Sequence, residues 1–162
     1  MARQGAAWRQ GAGLRREGLA IVMGQKDSVV IGPWLYKKLP WDPTKDLTAV
    51  AHVAYTPVVI ATSANSKYKT MADVIAVAES GFKDFDVSTW YGVFAPAGTP
   101  ASVVTALNAE INKLMVTADT KAAIQAQGAE PEAMSAAQFG TLMKNDYAKW
   151  KGIVEASGAK IE

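Results

Sequence analysis

The chain has 162 residues, 49% of them hydrophobic and 20% charged, which is the ordinary globular range and enough for one domain core. Its 17 basic and 15 acidic side chains leave a net charge of +2, and with no cysteine there is no disulfide, zinc-thiolate site or cysteine nucleophile. No apolar run reaches the roughly 18 to 20 residues that a helical membrane span needs, and the N-terminus lacks the charged start, apolar middle and small-residue cleavage site of a secretory signal.

Residues 1–18 carry Arg3, Arg9, Arg15 and Arg16 against Glu17, a local charge of +3 (four minus one), with Trp8 among them. Four glycines in this stretch oppose a stable helix, so it is expected to be a basic, poorly ordered tail and not a nucleic-acid or membrane arm. Leu19 to Met23 reads as a short buried strand ending at Gly24. Gln25 to Ser28 is a polar loop at its carboxyl end, with Ser28 expected to cap a helical turn through Val29, Val30, Ile31 and Trp34. A loop in that position is where an α/β fold places ligands, although a plain strand-to-helix connection has the same sequence signature.

Pro40 and Pro43 forbid continued helix around Trp41, and Lys37 and Lys38 read as solvated. Two further strands are expected over Leu47 to Ala54 and Val58 to Thr62, separated by Tyr55-Thr56-Pro57. His52, the only histidine, falls in the first of these and is expected to be packed, because no cysteine or second histidine can complete a metal set. Thr70 and Asp73 form a capping-box-like start to a short helix through about Ala78, and the carboxylates of Glu79 to Asp86 read as solvated loop.

The aromatic and β-branched run from Thr89 to Phe94 predicts a buried strand, broken at Pro96 and Gly98. Thr99 as N-cap and Pro100 at the first helical position then open a helix whose apolar face is Val103, Val104, Leu107, Ile111, Leu114 and Met115. Thr117 is expected to cap a second helix ending near Gly128, followed by an extended Ala129-Glu130-Pro131. Ser135 and Gln138 form a capping box for a last helix buried along Phe139, Leu142, Met143, Tyr147, Trp150, Ile153 and Val154, with Gly158 as its stop. No G-x-S-x-G elbow, phosphate-binding glycine loop or H-E-x-x-H motif occurs, and no spacing singles out a catalytic triad. Neither an enzyme, a cofactor nor a metal centre is expected.

Two blocks of residues carry a resemblance. The first holds Met23-Gly24, Leu35-Tyr36-Lys37-Lys38-Leu39-Pro40-Trp41-Asp42-Pro43 with Lys45-Asp46, and Thr70-Met71-Ala72-Asp73-Val74-Ile75. The second holds Val77 to Phe82, Trp90-Tyr91-Gly92, Ala95-Pro96-Ala97-Gly98-Thr99-Pro100, Leu107-Asn108 with Glu110-Ile111, and Gln127 to Pro131. Together they resemble the Bug-type periplasmic solute-binding proteins, receptors of tripartite tricarboxylate transporters. The resemblance implies two α/β lobes closing on a small carboxylate, yet here the blocks abut near Ala76 and Val77, where the second lobe would be inserted.

The expected fold is therefore α/β, an incomplete single lobe of a periplasmic-binding-protein-like (type II) fold with a mixed sheet flanked by helices, over residues 19–162. The implied function is carboxylate binding without chemistry, in the periplasm, with membrane transporter subunits as partners. The alternative is a truncated remnant that binds no solute and self-associates through an open sheet edge. Of the family's ligand loops only the one after Met23 maps onto this chain, which gives Gly24, Gln25, Asp27 and Ser28 as expected contacts. Lys26, expected to be exposed, would add a solute pairing worth only ~1 kcal/mol or less.

Overall fold

The computed structural model describes residues 21–37, 39–57, 64–67, 70, 72–73 and 88–161. The expected tail, the Val58 to Thr62 strand, Lys38, the loop from Glu79 to Asp86 and the junction near Ala76 and Val77 lie outside them. The chain divides into two compact units, Met1–Thr56 with Thr89–Glu162, and Pro57–Ser88.

Among the described residues the larger unit has four strands: β1 (Val22–Gln25), β2 (Leu47–Thr56), β3 (Thr89–Pro96) and β4 (Glu130–Pro131), in the order β1-β3-β2-β4. Every described ladder is antiparallel, and the parallel element is an isolated bridge between Tyr36 and Ile161. That bridge docks the chain's last extended piece, with Ile161 N–H donating to the Leu35 carbonyl at 2.8 Å. Tyr55 and Thr56, expected to end a strand, instead continue β2 against Trp90 and Thr89.

Helical turns follow β1 directly, as a π-helical turn α1 (Asp27–Ile31) and then α2 (Gly32–Leu35). The helix starts at Lys26, two residues before the expected Ser28 cap, and its N-cap makes no side-chain hydrogen bond. A short α3 (Pro43–Asp46) precedes β2; α4 (Ala101–Met115) and α5 (Ala118–Gln125) follow β3, and α6 (Ala136–Ser157) closes the unit. No described helix is long and apolar enough to cross a membrane.

Caps are local, and most fall where expected. Thr117 accepts from Thr120 N–H, and Ser135 and Gln138 complete a reciprocal capping box. Gly158 ends α6 in the left-handed conformation at φ +67°. In the smaller unit Thr70 N–H donates to Asp73 Oδ2 at 2.9 Å, while Asp73 N–H donates to Thr70 Oγ1 at 3.2 Å. Thr99 is displaced from its expected role: Pro100 takes the N-cap position of α4. The Thr99 hydroxyl donates instead to the Pro96 carbonyl at 2.7 Å, closing the turn that Gly98 makes at φ +82°.

One sheet face packs Trp90 and Phe94 against Val29, Val30, Phe139 and Met143; the other packs Val50, Ala51, Val93 and Ala95 against Leu107 and Ile111 of α4. Leu114 and Ile153, expected on buried helix faces, are 56% and 40% exposed, because each lies toward the edge of its helix's apolar stripe. Two register shifts in β2 leave Val50 and Val53 outside the β3 ladder. Their carbonyls are still satisfied: Asn108 Nδ2 donates to Val50 O at 2.8 Å, and Glu132 N–H donates to Val53 O at 3.2 Å.

Gly92 is the seat for Phe139: a Cβ there would collide with the ring of this fully buried phenylalanine. Gly92→Ala is expected to cost at least the ~1–3 kcal/mol typical of overpacking. Pairing it with Phe139→Leu should recover part of the loss relative to the additive sum, read from urea unfolding midpoints. A full additive loss would mean the two positions do not meet.

At α3, Asp42 Oδ1 accepts from both the hydroxyl and the N–H of Thr44. The Thr44 side-chain bond, opposed by partial burial and aided by Lys45, holds the Asp42 carboxyl below its ordinary value of 3.8. A lowered folded-state pKa means stabilisation that is present above 3.8 and disappears as pH falls through the lowered value. Asp42→Ala should therefore cost ~1 kcal/mol at pH 7, with the gap from the parent chain narrowing by pH 3 in the same urea assay.

Candidate functional site

The carboxyl end of β1, where the strand runs straight into α1, is where the expected ligand contacts fall. Gly24 pairs with Gly92 across the β1–β3 ladder and is buried. A Cβ on Gly24 would lie 2.9 Å from Phe94 Cε2 and 3.0 Å from Val29 Cγ2, so its missing side chain lets the strand, β3 and α1 close together. Gln25 is half-buried, and its Nε2 donates at 3.3 Å to Oδ2 of the exposed Asp27. Ser28 is half-buried one residue further on, inside α1. The structure thus puts Gln25 at the end of β1, Asp27 and Ser28 on the helical turn that follows, and turns Gly24 inward, toward the core.

Lys26, expected to be exposed, is 2% exposed. Its Nζ lies 3.2 Å from Oδ2 of Asp146 on α6, and the same oxygen accepts the Trp90 indole N–H at 2.7 Å. The Lys26 ammonium also sits 5.9 Å from the centroid of the Trp150 ring. Burying an ammonium is tolerable only with an opposing charge and hydrogen bonds, and Asp146 supplies the charge. The cation is therefore engaged internally and not presented to solute.

Asp146 escapes a reading based on apolar periodicity because it is charged. The signal available was its spacing: Phe139, Met143, Asp146 and Val154 all lie buried along α6 at intervals that return to one face. A carboxylate inside such a stripe needs a partner from elsewhere in the chain.

His52 is packed, as expected. Its ring is 1% exposed and edge-on to Phe139 at 5.7 Å, with Nδ1 3.0 Å from the Glu132 carbonyl. A ring nitrogen facing a carbonyl oxygen must carry the proton, so Nδ1 donates there, and the Glu132 carboxylate stands 3.9 Å away. Buried under Phe139, the imidazole is closed to substrate. Among the described residues no group of three or more His, Asp or Glu side chains comes together in a way that could hold a metal ion.

The sequence profile of the tripartite tricarboxylate transporter family receptor matches residues 14–78 and 72–159. The chain belongs to that family. It is 36% identical over 89 residues to the UPF0065 protein in the tcbD-tcbE intergenic region of Pseudomonas sp. (strain P51), which covers 54% of this chain and 26% of the relative. It is 33% identical over 89 residues to Protein BugT of Bordetella pertussis, covering 55% of this chain and 27% of BugT. The receptor-family chain thus spans about a quarter of the length of these curated relatives.

Solved structures share the fold at low identity. The structure of R. palustris Rpa4515 with adipate superposes with a TM-score of 0.75 at 15% identity, over 97% of this chain and 84% of that one. MatC from Rhodopseudomonas palustris with bound malate gives 0.64 at 16% identity, over 83% and 78%. The chain thus shares the α/β fold of these solved proteins.

Breaking a buried ion pair by removing one partner typically costs about 3–5 kcal/mol, whereas replacing both by apolar groups is often near neutral. Lys26→Met alone should fall in that range by urea unfolding, and Lys26→Met with Asp146→Leu should lose markedly less than the single variant. A double variant as unstable as the sum of the singles would show that the pair is not coupled.

Proposed function

We propose that this receptor-family chain is a solute-binding lobe of a tripartite tricarboxylate transporter, acting in the periplasm on a small carboxylate and performing no chemistry. Gly24 shapes the site, and Gln25 at the end of β1, with Asp27 and Ser28 on the turn after it, meets the solute. The observation that carries this reading is the family match over residues 14–78 and 72–159, together with the polar turn where β1 passes into α1. Solved neighbours of the same fold hold adipate and malate, which points to a dicarboxylate. Transporter membrane subunits are the partners this role requires. The two matched segments meet at residues 72–78, in support of a lobe whose halves join where a second lobe would be inserted.

A second reading is favoured by a different observation. Ile21 and Met23, on and beside β1, are 52% and 64% exposed, an apolar strand surface suited to self-association. In that case the chain is a remnant that pairs with itself and takes no solute.

Thermal unfolding by circular dichroism at two protein concentrations, with and without millimolar adipate, malate, citrate, glutamate or nicotinate, separates the two. A binder gains about 2.7 kcal/mol at a hundredfold excess of ligand over Kd. One carboxylate is expected to raise the midpoint progressively, and Gln25→Ala with Ser28→Ala is expected to diminish that rise. A transition indifferent to all five acids but dependent on protein concentration would overturn solute binding for this panel and support the remnant.

A further inference from the structure

The polar centre beneath the candidate site has the composition of a carboxylate receptor. Lys26 Nζ and the Trp90 indole N–H converge on one oxygen, Asp146 Oδ2, at 3.2 and 2.7 Å. Trp150, on α6 with Asp146, adds a ring 5.9 Å from the ammonium, and its indole N–H is buried with no hydrogen-bond partner among the described residues. A cation and an indole donor converging on one oxygen suit a carboxylate, which is acceptor-only and can take several N–H groups at once.

The acid that fills this centre comes from the chain itself. Lys26 lies at the end of β1 and Trp90 on β3, whereas Asp146 is carried by α6, more than fifty residues away in sequence from Trp90. Asp146 is therefore a ligand delivered by a separate element, in the way a bound acid would be.

We propose that Lys26 and Trp90 form a carboxylate-binding site that Asp146 occupies in cis, so that α6 is held to the sheet as an internal ligand. A free monocarboxylate fits the same donors once the Asp146 carboxyl is removed. The site differs from the dicarboxylate contacts proposed at Gln25, Asp27 and Ser28, and it holds whether or not the parent chain binds solute there.

The test is chemical rescue in the full chain. Asp146→Ala keeps the Cβ and removes the carboxyl group, leaving a space matched to formate. Thermal unfolding of this variant in sodium formate, against sodium chloride at equal ionic strength, is expected to show a saturable rise of about 3 °C or more. The parent chain should show no such rise, since Asp146 fills the site. Asp146→Asn should also be indifferent, because its amide occupies the same space, and Asp146→Ala with Lys26→Met should lose the response.

If Asp146→Ala does not fold in chloride, recovery of a cooperative transition in formate is the supporting result. Equal melting in formate and chloride, or no cooperative transition in either, would overturn the proposal. So would a formate response of equal size in Asp146→Asn, which would place the anion elsewhere. The parent chain's behaviour with adipate or malate bears only on the solute-binding reading, so the two can fail separately.

Discussion

The larger unit depends on Phe139 reaching the floor of the sheet. The ring is fully buried and lies 5.3 Å from Trp90, 5.2 Å from Phe94 and 5.7 Å from His52, centroid to centroid. It can come this close only because position 92, between Trp90 and Phe94 on the same face, has no side chain. A single glycine thus converts a sheet face into a socket, and α6 is keyed to the sheet by one aromatic residue near its start. The capping box at Ser135 fixes where that helix begins; moving the start by one residue would swing Phe139 about 100° round the helix.

Further along α6 the same contact is made with charge in place of bulk. Asp146 follows Phe139 by seven residues, two helical turns, and meets Trp90 and Lys26. Shape registers the first end of the helix and an ion pair the middle. An apolar pair at Lys26 and Asp146 would hold the helix about as well and would tolerate sliding, whereas a buried charge is satisfied only in one register. The opposite face of the sheet uses Asn108 in the same spirit: it donates to Val50 and to the Met134 carbonyl at 3.0 Å, tying α4 to the point where β2 leaves its ladder and to the segment just before α6. The Leu107-Asn108 motif that carries part of the family resemblance is, in this structure, a structural clamp.

What the sequence made legible and what it hid divide along the same line. Caps at Thr117 and Ser135, the glycine stop at 158, and the Thr70–Asp73 box are satisfied within four residues of themselves, so a local pattern is sufficient to find them. The bulges at Val50 and Val53 are not local, since each exists only relative to β3, and they are why Val50, Ala51 and His52 are buried in succession where strand alternation expects every second residue. Lys26 and Asp146 were hidden for a related reason. Each alone looks like a solvated charge, and only the topology that packs α6 against the sheet and α1 makes them partners 120 positions apart. The family was legible because its motifs are mostly strand ends, turns and caps, the features least altered by the length of what lies between them.

The internal ion pair bears directly on how a lobe of this kind can recognise an acid. Micromolar affinity corresponds to about 8 kcal/mol, and receptors with two lobes gather it by closing donors from both sides over a desolvated solute. On one lobe the strongest available contribution would be a buried cation at the end of β1, and in this structure Asp146 already holds it. What remains at the surface is neutral or acidic: the Gln25 amide, the Ser28 hydroxyl and the exposed Asp27 carboxylate. At the proposed contacts recognition would rest on hydrogen bonds, each worth roughly 0.5–1.5 kcal/mol net, with a like charge nearby. Under the proposed function several would have to act together on a solute whose oxygens are spaced to meet them, so discrimination at this end would be by shape and hydrogen-bond pattern more than by charge.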